Sequence, residues 1–90
     1  MRERVVEALL ARRVRELGGR AVKLVPVDAG LPDRLVLLPG GRSYLVELKA
    51  PGGRLRPIQK VWHERAAAIG HHVVVLRSTE DVEQWIEEVK

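Results

Sequence analysis

The chain has 90 residues, 46% hydrophobic and 31% charged, with no cysteine and a net charge of +4. That length suits one domain, residues 1–90, with a small core, and the balance is globular rather than disordered. It excludes a disulfide framework, a thiolate zinc site and, with no apolar run near roughly 18 residues, a membrane span.

In chain order, residues 3–17 read as a helix, with Val6, Leu10, Val14 and Leu17 in one apolar stripe and Gly18-Gly19 as its stop. The start Met1-Arg2-Glu3-Arg4 leads into this helix and does not read as a secretory leader, so a cytoplasmic protein is expected. Ala21 to Val27 is an apolar run expected to form a strand, followed by a turn at Asp28-Ala29-Gly30-Leu31-Pro32. Arg34 to Leu38 and Ser43 to Lys49 read as paired strands around the turn Pro39-Gly40-Gly41-Arg42. Pro51-Gly52-Gly53 opens a loop, and Pro57 stands where a helix tolerates proline, at its first turn. That helix should run to Ile69 and stop at Gly70. His72 to Arg77 contains Val73-Val74-Val75-Leu76 and reads as a buried central strand. Ser78 or Thr79 caps a last helix to Val89, with Glu80 and Asp81 in its first turn, where the helix dipole favours acids. The order is α-β-β-β-α-β-α, an α/β fold with a mixed sheet flanked by helices.

Three residues carry the chemistry. Asp33 precedes the first hairpin strand, and Glu47 and Lys49 lie near the end of the second. A hairpin turning at 39–42 brings these ends together. Glu47 and Lys49 are two apart, so they share one strand face, with Leu48 on the other. Two carboxylates can hold a hard cation such as Mg²⁺ or Mn²⁺. Such an ion polarises a phosphodiester and acidifies water. The lysine can orient or deprotonate that water, or stabilise charge on phosphate. The Leu48 carbonyl is a further candidate metal ligand. The alternative is a plain salt bridge between Glu47 and Lys49 on a solvated hairpin face.

The stretch Gly30-Leu31-Pro32-Asp33, then Val46-Glu47-Leu48-Lys49-Ala50-Pro51-Gly52-Gly53, then Leu55-Arg56-Pro57-Ile58-Gln59 resembles the virus-type replication-repair nuclease (VRR-NUC) family. That family belongs to the PD-(D/E)xK superfamily, whose fold resembles restriction endonucleases and whose relatives include Holliday junction resolvases. The resemblance implies that Asp33 and Glu47 are metal ligands, Lys49 the catalytic lysine and Gln59 a helix glutamine that supports the site. It also implies a metal-side glutamate on the first helix. Glu7 and Glu3 both border the buried stripe, and Glu7 is preferred because Glu3 lies in the fraying first turn.

Charge points to a polyanion. Residues 1–60 hold 13 Lys and Arg against 6 Asp and Glu, a net +7, whereas residues 61–90 hold 3 against 6, a net −3. Such asymmetry fits a nucleic acid on one side, or merely a solvated surface. Arg34, Gly53, Arg54, Arg56 and Lys60 surround the proposed centre and are expected to meet phosphates. Arg2, Arg4, Arg12, Arg13 and Arg15 on the first helix fit phosphate contact or a solvated face. Tyr44, Trp62 and Trp85 are too few for a base-stacking platform, and Trp62 and Trp85, on amphipathic helices, suit packing or an interface. His63, His71 and His72 lack zinc-site spacing. These readings converge on a Mg²⁺- or Mn²⁺-dependent DNA endonuclease acting on branched or double-stranded DNA, expected as a homodimer because two strands need two sites. A nuclease-like module that binds structured DNA without cutting it is the alternative.

Overall fold

The computed structural model describes residues 3–90; Arg2, one of the arginines placed on the first helix, lies outside the described residues. The elements are α1 (Glu3–Glu16), β1 (Arg20–Lys23), β2 (Arg34–Leu38), β3 (Arg42–Leu48), α2 (Pro57–Ala68), β4 (Val73–Leu76) and α3 (Thr79–Val89). The four strands form one sheet in the order β1-β2-β3-β4, antiparallel except for the parallel β3–β4 pair. The expected α-β-β-β-α-β-α order and mixed sheet are both present.

Side-chain alternation divides the sheet into two faces. Val36 and Leu38 of β2, Val46 and Leu48 of β3 and Leu76 of β4 pack against Val6, Leu10 and Val14 of α1 and Val82, Trp85, Ile86 and Val89 of α3. Burial of each such side chain contributes about 1.5–3 kcal/mol. The stripe at 6, 10 and 14 recurs at helical spacing, so one face of α1 supplies a complete seam. Tyr44 meets Trp85 edge to face at 5.3 Å, which makes Trp85 a core residue and removes it from the candidate interface residues. α2 covers the other face of the sheet, and among its residues only Gln59 and Ala66 are buried.

Both helix stops come at glycines. Gly18 and Gly70 have positive φ, and the chain folds back through Gly19 N–H to Val14 O (3.0 Å) and His71 N–H to Ala66 O (2.8 Å). These are Schellman closures. Ser78 caps α3, its hydroxyl accepting from the Asp81 N–H. His71 and His72 are exposed in the turn before β4.

Two strand expectations need correction. The apolar run 21–27 forms a strand only at Arg20–Lys23, while Val25 and Val27 are 72% and 87% exposed. Pro26 has no N–H for a ladder, and the Val27 N–H turns back onto the Val25 carbonyl. β4 is an edge strand and not a central one. Its residues are apolar on both faces because the sheet is covered by helices on both sides, not because strands flank it on both edges.

Candidate functional site

The hairpin register delivers Asp33 to Glu47. Arg34 pairs with Val46, so the residue before one stands level with the residue after the other. Asp33 Oδ2 accepts the Leu48 N–H at 2.8 Å. Its carbonyl accepts Arg34 Nη1 at 3.0 Å and the Leu24 N–H at 2.8 Å. Upstream, Gly30 at φ 86° passes so near α2 that a β-carbon would lie 2.5 Å from the Ile58 carbonyl oxygen. Only glycine fits that approach. Trp62 Nε1 donates to Asp28 Oδ2 at 3.0 Å. The segment carrying Asp33 therefore packs closely on α2 and is tied to it by one hydrogen bond.

Glu47 is 1% exposed, so the solvated salt bridge considered from sequence is not what forms. Lys49 Nζ stands 3.9 Å from Glu47 Oε2, and Gln59 Nε2 donates to the same oxygen at 3.2 Å. The Gln59 carbonyl oxygen accepts the Arg56 N–H at 2.8 Å, which orients the amide so that its NH₂ faces Glu47. Glu47 Oε1 is buried without a hydrogen-bond partner, a costly state for a carboxylate oxygen. Burial pushes the Glu47 carboxyl up to about 8; the Asp33 carboxylate adds to this, Lys49 opposes it and the charge of Glu3 contributes further. Converging carboxylates with an unpartnered buried oxygen are a donor set that fits a hard divalent cation. Among the described residues no cluster of three or more His, Cys, Asp or Glu occurs. The protein would thus offer two carboxylates and leave other positions to water and phosphate, as Mg²⁺ prefers.

Some expected residues serve elsewhere. Arg34 alternates with Asp33 and so points to the α1 face beside Val36. It is 7% exposed and its Nη2 pairs with Glu7 Oε1 at 2.6 Å. Arg34 is thus not free to meet phosphate. Glu7 is engaged by this pair, while the charge of Glu3 makes the smallest of the contributions that raise the Glu47 carboxyl. The Gly53 N–H is taken by the Ala50 carbonyl at 2.8 Å and does not point to a phosphate. Arg13 bridges Glu16 at 2.6 Å and Glu83 at 3.0 Å, joining α1 to α3. Arg54, Arg56 and Lys60 are exposed along the β3–α2 loop and the start of α2.

His63 was not legible as part of this neighbourhood. It lies one turn beyond Gln59 on the same face of α2. Its Nε2 is buried without a partner, and burial, followed by the Lys49 charge, lowers its pKa. The spacing of four from Gln59 was the available signal.

The VRR-NUC domain family profile matches residues 2–80. The chain belongs to the VRR-NUC family. A phage protein named "Putative nuclease p44", from Acyrthosiphon pisum secondary endosymbiont phage 1, is 48% identical over 79 residues, covering 87% of this chain and 85% of its own. A solved structure described as a VRR_NUC domain superposes with a TM-score of 0.89 at 34% identity, covering 98% of this chain and 97% of that one. The hairpin, α2 and the flanking helices are therefore those of a VRR-NUC nuclease domain, whose partner class is nucleic acid. Among the described residues no helix is long and apolar enough to cross a membrane.

Proposed function

We propose that this protein is a Mg²⁺- or Mn²⁺-dependent endodeoxyribonuclease that hydrolyses phosphodiester bonds of branched or double-stranded DNA. The observation that carries this reading is Glu47: buried, level with Asp33, with one oxygen held by Gln59 and the other without a partner. Asp33, Glu47 and the Leu48 carbonyl would hold the ion, and Glu3, in place of Glu7, would be the α1 carboxylate that adds negative charge to the site without ligating the metal. A bound divalent cation supplies charge neutralisation and a more acidic water.

The chain's own groups do the rest. Gln59 fixes the Glu47 rotamer from the first turn of α2, and the Leu48 N–H fixes that of Asp33. Lys49, half-sheltered on the same strand face, orients the attacking water and stabilises charge that develops on the phosphoryl oxygens. Arg54, Arg56 and Lys60 hold the nucleic-acid backbone without reading sequence. Cleavage of both strands of a duplex or junction needs two such sites, and a homodimer supplies them.

The test is cleavage of labelled four-way junction, flap and duplex DNA with Mg²⁺, Mn²⁺ or EDTA. Metal-dependent cutting that Asp33→Ala and Lys49→Ala remove is the expected result. DNA binding without cutting in either metal would leave a silent binding module as the better account.

A further inference from the structure

We infer that Arg77 is a phosphate-binding residue of this site, holding the nucleic-acid backbone on the β4 side of Lys49. The inference rests on the nuclease reading and adds a residue to it from the far end of the chain.

The topology places it. β3 and β4 run parallel, with Glu47 level with Val75 and Leu48 level with Leu76. The Lys49 N–H donates to the Leu76 carbonyl at 3.0 Å, so the next step of the ladder brings Arg77 beside Lys49. Residues paired across strands point to the same face. Leu48 and Leu76 both enter the core, so Arg77 points the other way, with Glu47 and Lys49.

Its anchoring is built on both sides. Arg77 Nε donates to the Gly53 carbonyl at 3.2 Å, and the Arg77 N–H donates to Asp81 Oδ2 at 2.8 Å. The first contact joins Arg77 to the loop that carries Arg54 and Arg56. The second fixes the backbone through the acid in the first turn of α3.

Its charge is left available. Among the described residues no carboxylate lies within salt-bridge distance of the Arg77 guanidinium, whereas Arg13 and Arg34 are both ion-paired. Asp81, its nearest acid in sequence, is engaged by backbone N–H and not by the guanidinium. A guanidinium held by Nε keeps its two terminal nitrogens as a fork, the geometry that suits a phosphodiester. Arg34 follows the site aspartate in sequence but faces the core, while Arg77 is remote in sequence and faces the site.

The experiment measures affinity for a labelled four-way junction in Ca²⁺ across a series of NaCl concentrations, with thermal melting as the folding control. Arg77→Gln keeps an amide donor for the Gly53 carbonyl but removes the charge. It should weaken binding several-fold and reduce the slope of log affinity against log salt by about 1. Arg77→Lys keeps the charge and should retain the wild-type slope. An unchanged slope in folded Arg77→Gln, or a reduced slope in Arg77→Lys, overturns the inference, the latter because the effect would then belong to the loop anchor. Wild-type protein that binds no DNA in this assay and cuts none in Mg²⁺ or Mn²⁺ overturns the nuclease reading and the inference together.

Discussion

The two faces of the sheet are built on opposite principles. Against α1 and α3, alternate residues of β2 and β3 are apolar and almost fully enclosed. Against α2, the same strands present Glu47 and Lys49 with Asp33, and the helix answers with Gln59 and His63. The first face gives stability through area removed from water. The second carries a buried carboxylate whose charged form burial disfavours. A strand of period two lets both exist on one backbone, so that Leu48 can seal the core while Glu47 and Lys49 remain at the site. The lesson is that stability and chemistry are separable here by sheet face rather than by region of sequence.

If that separation holds, mutations on one face should leave the property of the other intact. The largest effect is expected from Lys49→Ala, which should lower the cleavage rate about 10²–10⁴-fold with little change in melting temperature. A large loss of stability would break the comparison. Leu10→Ala is the reciprocal probe. It opens a cavity in the sealed face and should cost about 2–5 kcal/mol in denaturant unfolding, with the cleavage rate per folded molecule unchanged at low temperature.

Glu47 gives a pH signature. Its carboxyl rises from 4.5 to about 8 in the folded protein, so the folded state holds this proton more tightly than the unfolded chain. Its contribution is fully present below pH 4.5 and is lost as pH climbs to about 8. Metal-free protein should therefore lose stability over that window, on the order of a few kcal/mol. Unfolding curves for Glu47→Gln should lack that slope. Added Mg²⁺ at pH 8 should raise the melting temperature of the wild type and not of Glu47→Gln.

The α1 carboxylates sharpen the comparison further. Glu7→Gln leaves Arg34 buried without its acid and should cost about 1–3 kcal/mol, less if solvent screens the half-exposed Glu7 side. It should spare metal-dependent cleavage, whereas Glu3→Gln should lower the rate about tenfold. A rate loss confined to Glu7→Gln would reverse this assignment. The smallest effect is expected from Trp62→Phe, which removes the hydrogen bond to Asp28 and should cost about 0.5–1.5 kcal/mol, with a modest rate loss through the segment that carries Asp33.

Much of the architecture was legible because it is locally encoded. The stripe at Val6, Leu10 and Val14 defined α1, the glycine stops defined two helix ends, and Ser78 marked the start of α3. The turn at 39–42 alone was enough to bring Asp33 to Glu47. What escaped were features that depend on which neighbour lies across the chain. Val25 and Val27 are as apolar as any strand residue, yet Pro26 and the lack of a facing partner leave them exposed. Val73–Leu76 reads as a central strand, since a chain records that a residue is covered but not whether a helix or a strand covers it.

The sequence by itself determined the helices, the hairpin and the grouping of Asp33, Glu47 and Lys49, because each follows from spacing within one element or across one short turn; Gln59 was placed there only by the family resemblance. Tertiary structure alone decided the assignment of the charges. Arg34 pairs with Glu7 of α1, and Arg77 comes level with Lys49 through a parallel crossover. Which carboxylate meets which cation depends on helix placement and strand order, and these are fixed only when the apolar face closes.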